Sequence, residues 1–125
     1  MLFDTDVLIW ALHGSAKAAK EIDKDDNRFI SAVTYMELIQ GARNKAEQKL
    51  IKDFLSSLGF QTVPIDENIS LRATVFMEEF CLKSGMGLAD ALIFATACEH
   101  TITLCSANKK HYKEIASLTA KEFRP

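Results

Sequence analysis

Four carboxylates occupy positions where carboxylates are costly. Asp4 and Asp6 are the only charges in MLFDTDVLIWAL (1–12), Glu37 is the only one in FISAVTYMELIQ (29–40), and Asp90 is the only one in GMGLADALIFATAC (85–98). An ionised acid among apolar neighbours is disfavoured unless something pairs with it. Acids isolated in this way in three separate segments are expected to meet around a cation. Two carboxylates ~4 Å apart repel by about 4 kcal/mol at an effective dielectric of 20. Three such pairs would approach the roughly 5–15 kcal/mol that holds a domain together. A divalent ion, or protonation of one acid, must relieve that repulsion. Oxygen donors without His or Cys suit hard ions such as Mg2+ or Mn2+, and magnesium favours phosphate oxygens. The chemistry to expect is therefore phosphodiester or phosphoryl transfer.

The elements that would bring the acids together can be read from the apolar periodicity. Short strands are expected at Met1–Asp4, Arg28–Val33, Phe60–Ile65 and Ile102–Ser106, with a possible last strand at Ser117–Lys121. Helices are expected at Thr5–His13, from the Ser15 cap through Glu21, and at Thr34–Ala42, Lys45–Leu58, Glu67–Ser84, Leu88–His100 and Lys109–Ile115. Ile69, Ala73, Phe76 and Phe80 fall at helical spacing, and Leu88–His100 is near-wholly apolar, which marks a buried helix. Strands alternating with helices imply parallel βαβ units in a three-layer α/β sandwich.

In such sheets functional groups gather at the carboxyl ends of the strands. Asp4 closes the first strand, and Glu37 is expected in the first turn of the helix after the second. The Leu88–His100 helix must run antiparallel to the strand that follows it, which brings Asp90 and Asn108 to the same edge. Each acid also has a plainer reading. Asp4 could end a strand in a turn, Asp6 could cap the following helix, Asp90 could answer the helix dipole, and Thr34-Tyr35-Met36-Glu37 fits a capping box.

Length and composition set the bounds. The 125 residues fit a single domain over positions 1–125, and 48% hydrophobic with 26% charged residues is globular. A net charge of −2 does not announce a nucleic-acid binder, so any such binding must come from local patches. One is Arg43, Lys45, Lys49 and Lys52 around Glu47, read as a solvated helix face; the other is Lys109, Lys110, His111 and Lys113. Cys81, Cys98 and Cys105 show no CxxC spacing and read as buried, reduced thiols, and with His13, His100 and His111 they make no zinc pattern. No apolar run reaches membrane-spanning length and no basic region precedes the first apolar residues, so a cytoplasmic protein without membrane contact is expected.

Taken in order, FDTDVLIW, TYMELIQGAR, GLADALIFATA and LCSANKKHYKEI resemble the motifs of PIN-domain nucleases, and most closely those of VapC-like toxins of type II toxin–antitoxin systems. The resemblance spans Asp4 to Ile115. It implies a PIN-like α/β/α sandwich with a mainly parallel central sheet and a Mg2+-dependent endoribonuclease, with Mn2+ as a possible substitute. In it Asp4 and Asp90 match the principal metal ligands, and Glu37 looks like the third acid. Asp6 matches an additional acid, Ser106 supplies a hydroxyl where the family often has Thr, and Asn108 stands where the family often has Asp. That neutral amide removes a charge from a second metal site. Arg43, Lys109 and Lys110 are candidates for holding the RNA backbone.

The resemblance further implies a homodimer inhibited by a VapB-like antitoxin within a larger heteromeric complex. The Thr34–Ala42 and Lys45–Leu58 helices are plausible partner surfaces, although Met36, Leu38 and Ile39 would serve equally well as core. Two other readings stay open. A PIN domain with weak or no catalysis would bind RNA or antitoxin without cutting. FDTDVLI also looks like the opening of haloacid-dehalogenase-type phosphatases, but the Gly-Thr step of those chains is absent.

Overall fold

The computed structural model describes all residues, Met1–Pro125. Five strands, β1 (Leu2–Phe3), β2 (Phe29–Ser31), β3 (Gln61–Val63), β4 (Leu104–Ser106) and β5 (Ala120–Glu122), form one sheet in the order β3-β2-β1-β4-β5. Every pairing is parallel. The helices are α1 (Thr5–Leu12), α2 (Ala16–Asp23), α3 (Ala32–Gly41), α4 (Lys45–Ser57), α5 (Glu67–Ser84), α6 (Leu88–His100) and α7 (Lys109–Tyr112).

Successive strand residues face opposite sides of the sheet, and this chain fills both sides. Leu2 and Leu104 join a core with Ile69, Phe76, Phe80 and Phe94 beneath α5 and α6. Their neighbours Phe3 and Cys105 join a second core with Val7, Leu8, Ile22 and Leu55 beneath α1, α2 and α4. Helices therefore cover both faces, as a parallel sheet with two apolar surfaces requires. The near-wholly apolar α6 packs against α5 and the sheet, with Ala91, Ile93, Phe94, Ala95, Thr96 and Ala97 buried.

Sequence-expected boundaries hold for α5 and α6 and shift elsewhere. The strands are shorter than expected, β5 begins three residues later and ends one residue later than the Ser117–Lys121 segment, and α7 stops at Tyr112. The shift that bears on the acids is at α3, which begins at Ala32 rather than Thr34 because the Ser31 side chain caps it, accepting from the Val33 N–H at 3.1 Å. Glu37 consequently lies in the second turn, and Thr34 is a buried helical residue rather than the opening of a capping box. Of the cysteines only Cys105 is fully buried, and burial pushes its thiol up to about 12; Cys81 and Cys98 are half-buried. No helix is long and apolar enough to cross a membrane.

Candidate active site

The chain builds the sheet outward from β1, first to β2 and β3 on one side and then to β4 and β5 on the other. The connections therefore diverge between β1 and β4, and the crevice outside the carboxyl ends of those strands is where such folds place ligands. Asp4 follows β1 and Ser106 ends β4, so both face this crevice.

Asp4 is buried and its two oxygens are both engaged. As N-cap of α1 it accepts from the Thr5 N–H at 2.7 Å, and the Ser106 hydroxyl donates to its other oxygen at 2.7 Å. Ser106 Oγ in turn accepts from the Asn108 N–H at 2.9 Å, and the Asn108 side-chain amide donates to Asp90 at 3.2 Å. The other Asp90 oxygen accepts from the Gly87 N–H at 3.3 Å at the start of α6. One unbroken set of hydrogen bonds thus runs from Asp4 through Ser106 and Asn108 to Asp90.

Asp6 does not cap α1, since Asp4 holds that position. It reaches across to β4 instead and accepts from the Ala107 N–H at 3.0 Å. Its remaining oxygen is buried with no hydrogen-bond partner. Glu37 enters from α3 and accepts from the Thr5 hydroxyl at 2.7 Å. The Thr34 hydroxyl lies 3.0 Å from that of Thr5, and because Thr5 has one hydroxyl proton to give, Thr34 donates to it. Thr5 was not singled out in the sequence, and Thr34 was read there only as the opening of a capping box. The signal for Thr5 was its place between two acids in Asp-Thr-Asp; for Thr34 it was a buried β-branched residue one turn before Glu37.

The electrostatics are those of confined like charges. Burial raises the Asp4 carboxyl to about 7, with the charges of Asp6 and then Asp90 adding to the rise and the bonds from Ser106 and Thr5 opposing it. Asp6 is also raised, first by burial and then by Asp90. No three carboxylate, imidazole or thiol side chains are spaced to hold a metal ion as they stand. The donors nonetheless fit a hard cation. They are all oxygen, one Asp6 oxygen is buried without a partner, and the acids penalise one another's ionised form.

The basic candidates lie further out. Arg43 is exposed and pairs with Glu47 at 3.0 Å, and Lys49 pairs with Asp53 at 2.8 Å, so that patch is met by its own acids. Lys109 begins α7 directly after Asn108, with Glu122 at 3.8 Å, and Lys110 is exposed beside it. An apolar groove of about 410 Å³ opens between α1, α3 and α4, lined by Ile9, Leu12, Leu38, Leu50 and Ile51. Glu37 and Glu47 also border it, so the groove reaches the acidic rim.

The PIN domain family model matches residues 1–118, and the chain belongs to that family. PIN domains are generally nucleases that use divalent metals, which sets aside the phosphatase reading of FDTDVLI. Among solved structures, it is similar to a chain of a toxin–antitoxin complex from Klebsiella pneumoniae, at 28% identity over 98% of both chains and a TM-score of 0.80. It also shares its fold with a chain of VapBC2 from Rickettsia felis bound to a promoter DNA fragment (20% identity, 98% of both chains, TM-score 0.81). A third such chain is from DNA-bound VapBC of Salmonella typhimurium, with 17% identity over 97% of this chain and 96% of that one, and a TM-score of 0.80. Comparison with curated protein sequences gives no match.

Proposed function

We propose that this chain is a Mg2+-dependent endoribonuclease, the toxin of a toxin–antitoxin pair, with Mn2+ as an alternative ion. The observation that carries the reading is the hydrogen-bonded path from Asp4 through Ser106 and Asn108 to Asp90, at the point where the sheet's connections diverge. A divalent ion bound there supplies Lewis acidity toward a phosphate oxygen and lowers the pKa of a water.

The chain's own residues do the rest. Asp4, Asp90 and the unpartnered oxygen of Asp6 would hold the ion. Ser106 fixes the Asp4 carboxylate through the 2.7 Å bond, and Asn108 orients Asp90 without adding a charge. Glu37, held by the Thr5 hydroxyl, would orient a water and accept its proton. Burial of Asp4 keeps its surroundings poor in water, where charge interactions are stronger.

Regulation follows from the groove between α1, α3 and α4. An apolar helix of a VapB-like antitoxin, carrying a basic residue toward Glu37, fits its apolar lining and acidic border. The similarity to a toxin–antitoxin complex supports such a partner, and a homodimeric, cytoplasmic protein is the form we expect. A non-cutting RNA- or antitoxin-binding module is the second reading. Two observations favour it, the neutral Asn108 and the lack of a ready three-ligand cluster. Purified protein freed of any antitoxin is to be incubated with a structured RNA and Mg2+, beside Asp4→Asn and Asp90→Asn. Cleavage by the wild type alone supports the nuclease. Equal cleavage by all of them refutes it, and RNA binding without cleavage by any moves the assignment to the binding module.

A further inference from the structure

A second recess, of about 340 Å³, lies between α2 and the end of the chain. Its walls carry Lys17 and Lys20 from α2, Lys24 at the C-cap of that helix and Arg124 from beyond β5, with Glu21 and Glu122 among them. The lysines recur at helical spacing on the side of α2 away from buried Ala18 and Ile22. Two further cations meet the acids of this recess: Lys121 pairs with Glu21 at 2.7 Å, and Lys109 approaches Glu122 at 3.8 Å. Four of the lining side chains are cations and two are acids, a local excess of +2 in a chain whose net charge is −2. Glu21 is shared by Lys24 and Lys121, and Glu122 by Arg124 and Lys109, so neither acid can neutralise its surroundings. Lys17 and Lys20 are exposed and form no ion pair.

The recess adjoins the acidic rim. Glu122 pairs in register with Ser106 on the neighbouring strand, which places their backbones about 5 Å apart. Lys109 follows Asn108, whose amide holds Asp90. A polyanion leaving the crevice on the β4–β5 side therefore meets Lys109, then Arg124, then the lysines of α2. This side is distinct from the apolar groove, which lies beside α3 and α4.

We propose that this recess holds the phosphate backbone of the RNA flanking the cleaved bond, so that α2 and the C-terminal segment set affinity for long substrates. The proposal rests on the ribonuclease reading above. Its ligand is recognised by charge alone, so the contacts are blind to sequence and sensitive to salt.

The test compares wild type with the variant K17A/K20A/K24A/R124A, in which only exposed side chains change. A control variant, K45A/K49A/K52A/K83A, removes the same charge from exposed positions of α4 and α5. Binding of a fluorescein-labelled RNA stem-loop is followed by anisotropy in EDTA, where no metal-dependent cutting occurs, over a series of salt concentrations. The recess variant is expected to bind at least about tenfold more weakly at low salt, with the slope of log K against log salt reduced by about 3. The control should keep most of the wild-type affinity, and with Mg2+ the recess variant should cut a short oligonucleotide at the wild-type rate. Equal affinity and slope for wild type and the recess variant overturn the proposal, as does equal weakening in the control. Failure of the ribonuclease reading shows itself separately, as wild type that binds the stem-loop in EDTA but does not cut it with Mg2+.

Discussion

Replacing Asp4 by Asn in metal-free protein probes the electrostatics of the rim directly. The Asp4 carboxyl is held at about 7 in the folded chain, against 3.8 for an unperturbed Asp, chiefly because it is buried. Each pKa unit corresponds to about 1.4 kcal/mol, so the gap amounts to about 4 kcal/mol of destabilisation once the group is ionised. Below the unfolded value both states are protonated and nothing is lost. Between roughly pH 4 and pH 7 the unfolded chain ionises while the native state keeps its proton, so stability falls as pH rises. Above about pH 7 the loss is complete.

Asparagine removes the charge and fits the same contacts. Its oxygen accepts from the Thr5 N–H, preserving the cap of α1, and its amide donates to Ser106 Oγ, which reverses the present bond. In EDTA at pH 8 the variant should therefore exceed wild type by about 2–4 kcal/mol, or roughly 10 °C in Tm. At pH 4.5 the difference should shrink to about 1 kcal/mol. Calorimetric unfolding across pH 4.5–8 measures the difference. Adding Mg2+ at pH 8 should raise the wild-type Tm by binding only the folded state, and leave the variant largely unmoved. A stability difference that does not change with pH, or a variant that gains as much from Mg2+ as wild type, would refute the reasoning.

Two further perturbations test neighbouring features. Asn108→Asp places a carboxylate where an amide now donates to Asp90 at 3.2 Å, adding repulsion of about 4 kcal/mol at close range. The variant should melt earlier than wild type in EDTA and gain more from Mg2+, and an unchanged Mg2+ response would show that position 108 does not face the ion. Thr101, the C-cap of α6, is exposed and is the one non-glycine residue with positive φ, at 52°. Thr101→Asn should relieve about 1 kcal/mol of backbone strain and raise Tm by several degrees with RNA cleavage unchanged, and a lower Tm would contradict that account.

Much of this molecule could be read locally. A charge inside an apolar run is a property of its neighbours in sequence, so Asp4, Asp6, Glu37 and Asp90 stood out before any contact was known. The α5 and α6 segments were legible too, because Ile69, Ala73, Phe76 and Phe80 recur at helical spacing in one and the second is nearly all apolar. The start of α3 was not. Ser31 and Thr34 are both competent caps, and the choice fell to Ser31, where β2 ends in register with Val63. That shift moved Glu37 to the second turn and set Thr34 beside Thr5.

The sequence alone determined which groups are charged, which segments are apolar and therefore buried, and the alternation that calls for a parallel sheet covered on both faces. Tertiary structure decided which of those groups meet. Ser106 lies far along the chain from Asp4, yet the β1–β4 pairing sets their side chains 2.7 Å apart. Arg124 and the α2 lysines come together only because β5 pairs with β4 and α2 packs beside it. Hydrophobic patterning depends on nearest neighbours and survives in one dimension. Hydrogen bonds and charge coupling depend on distances in space, and only the assembled sheet fixes those.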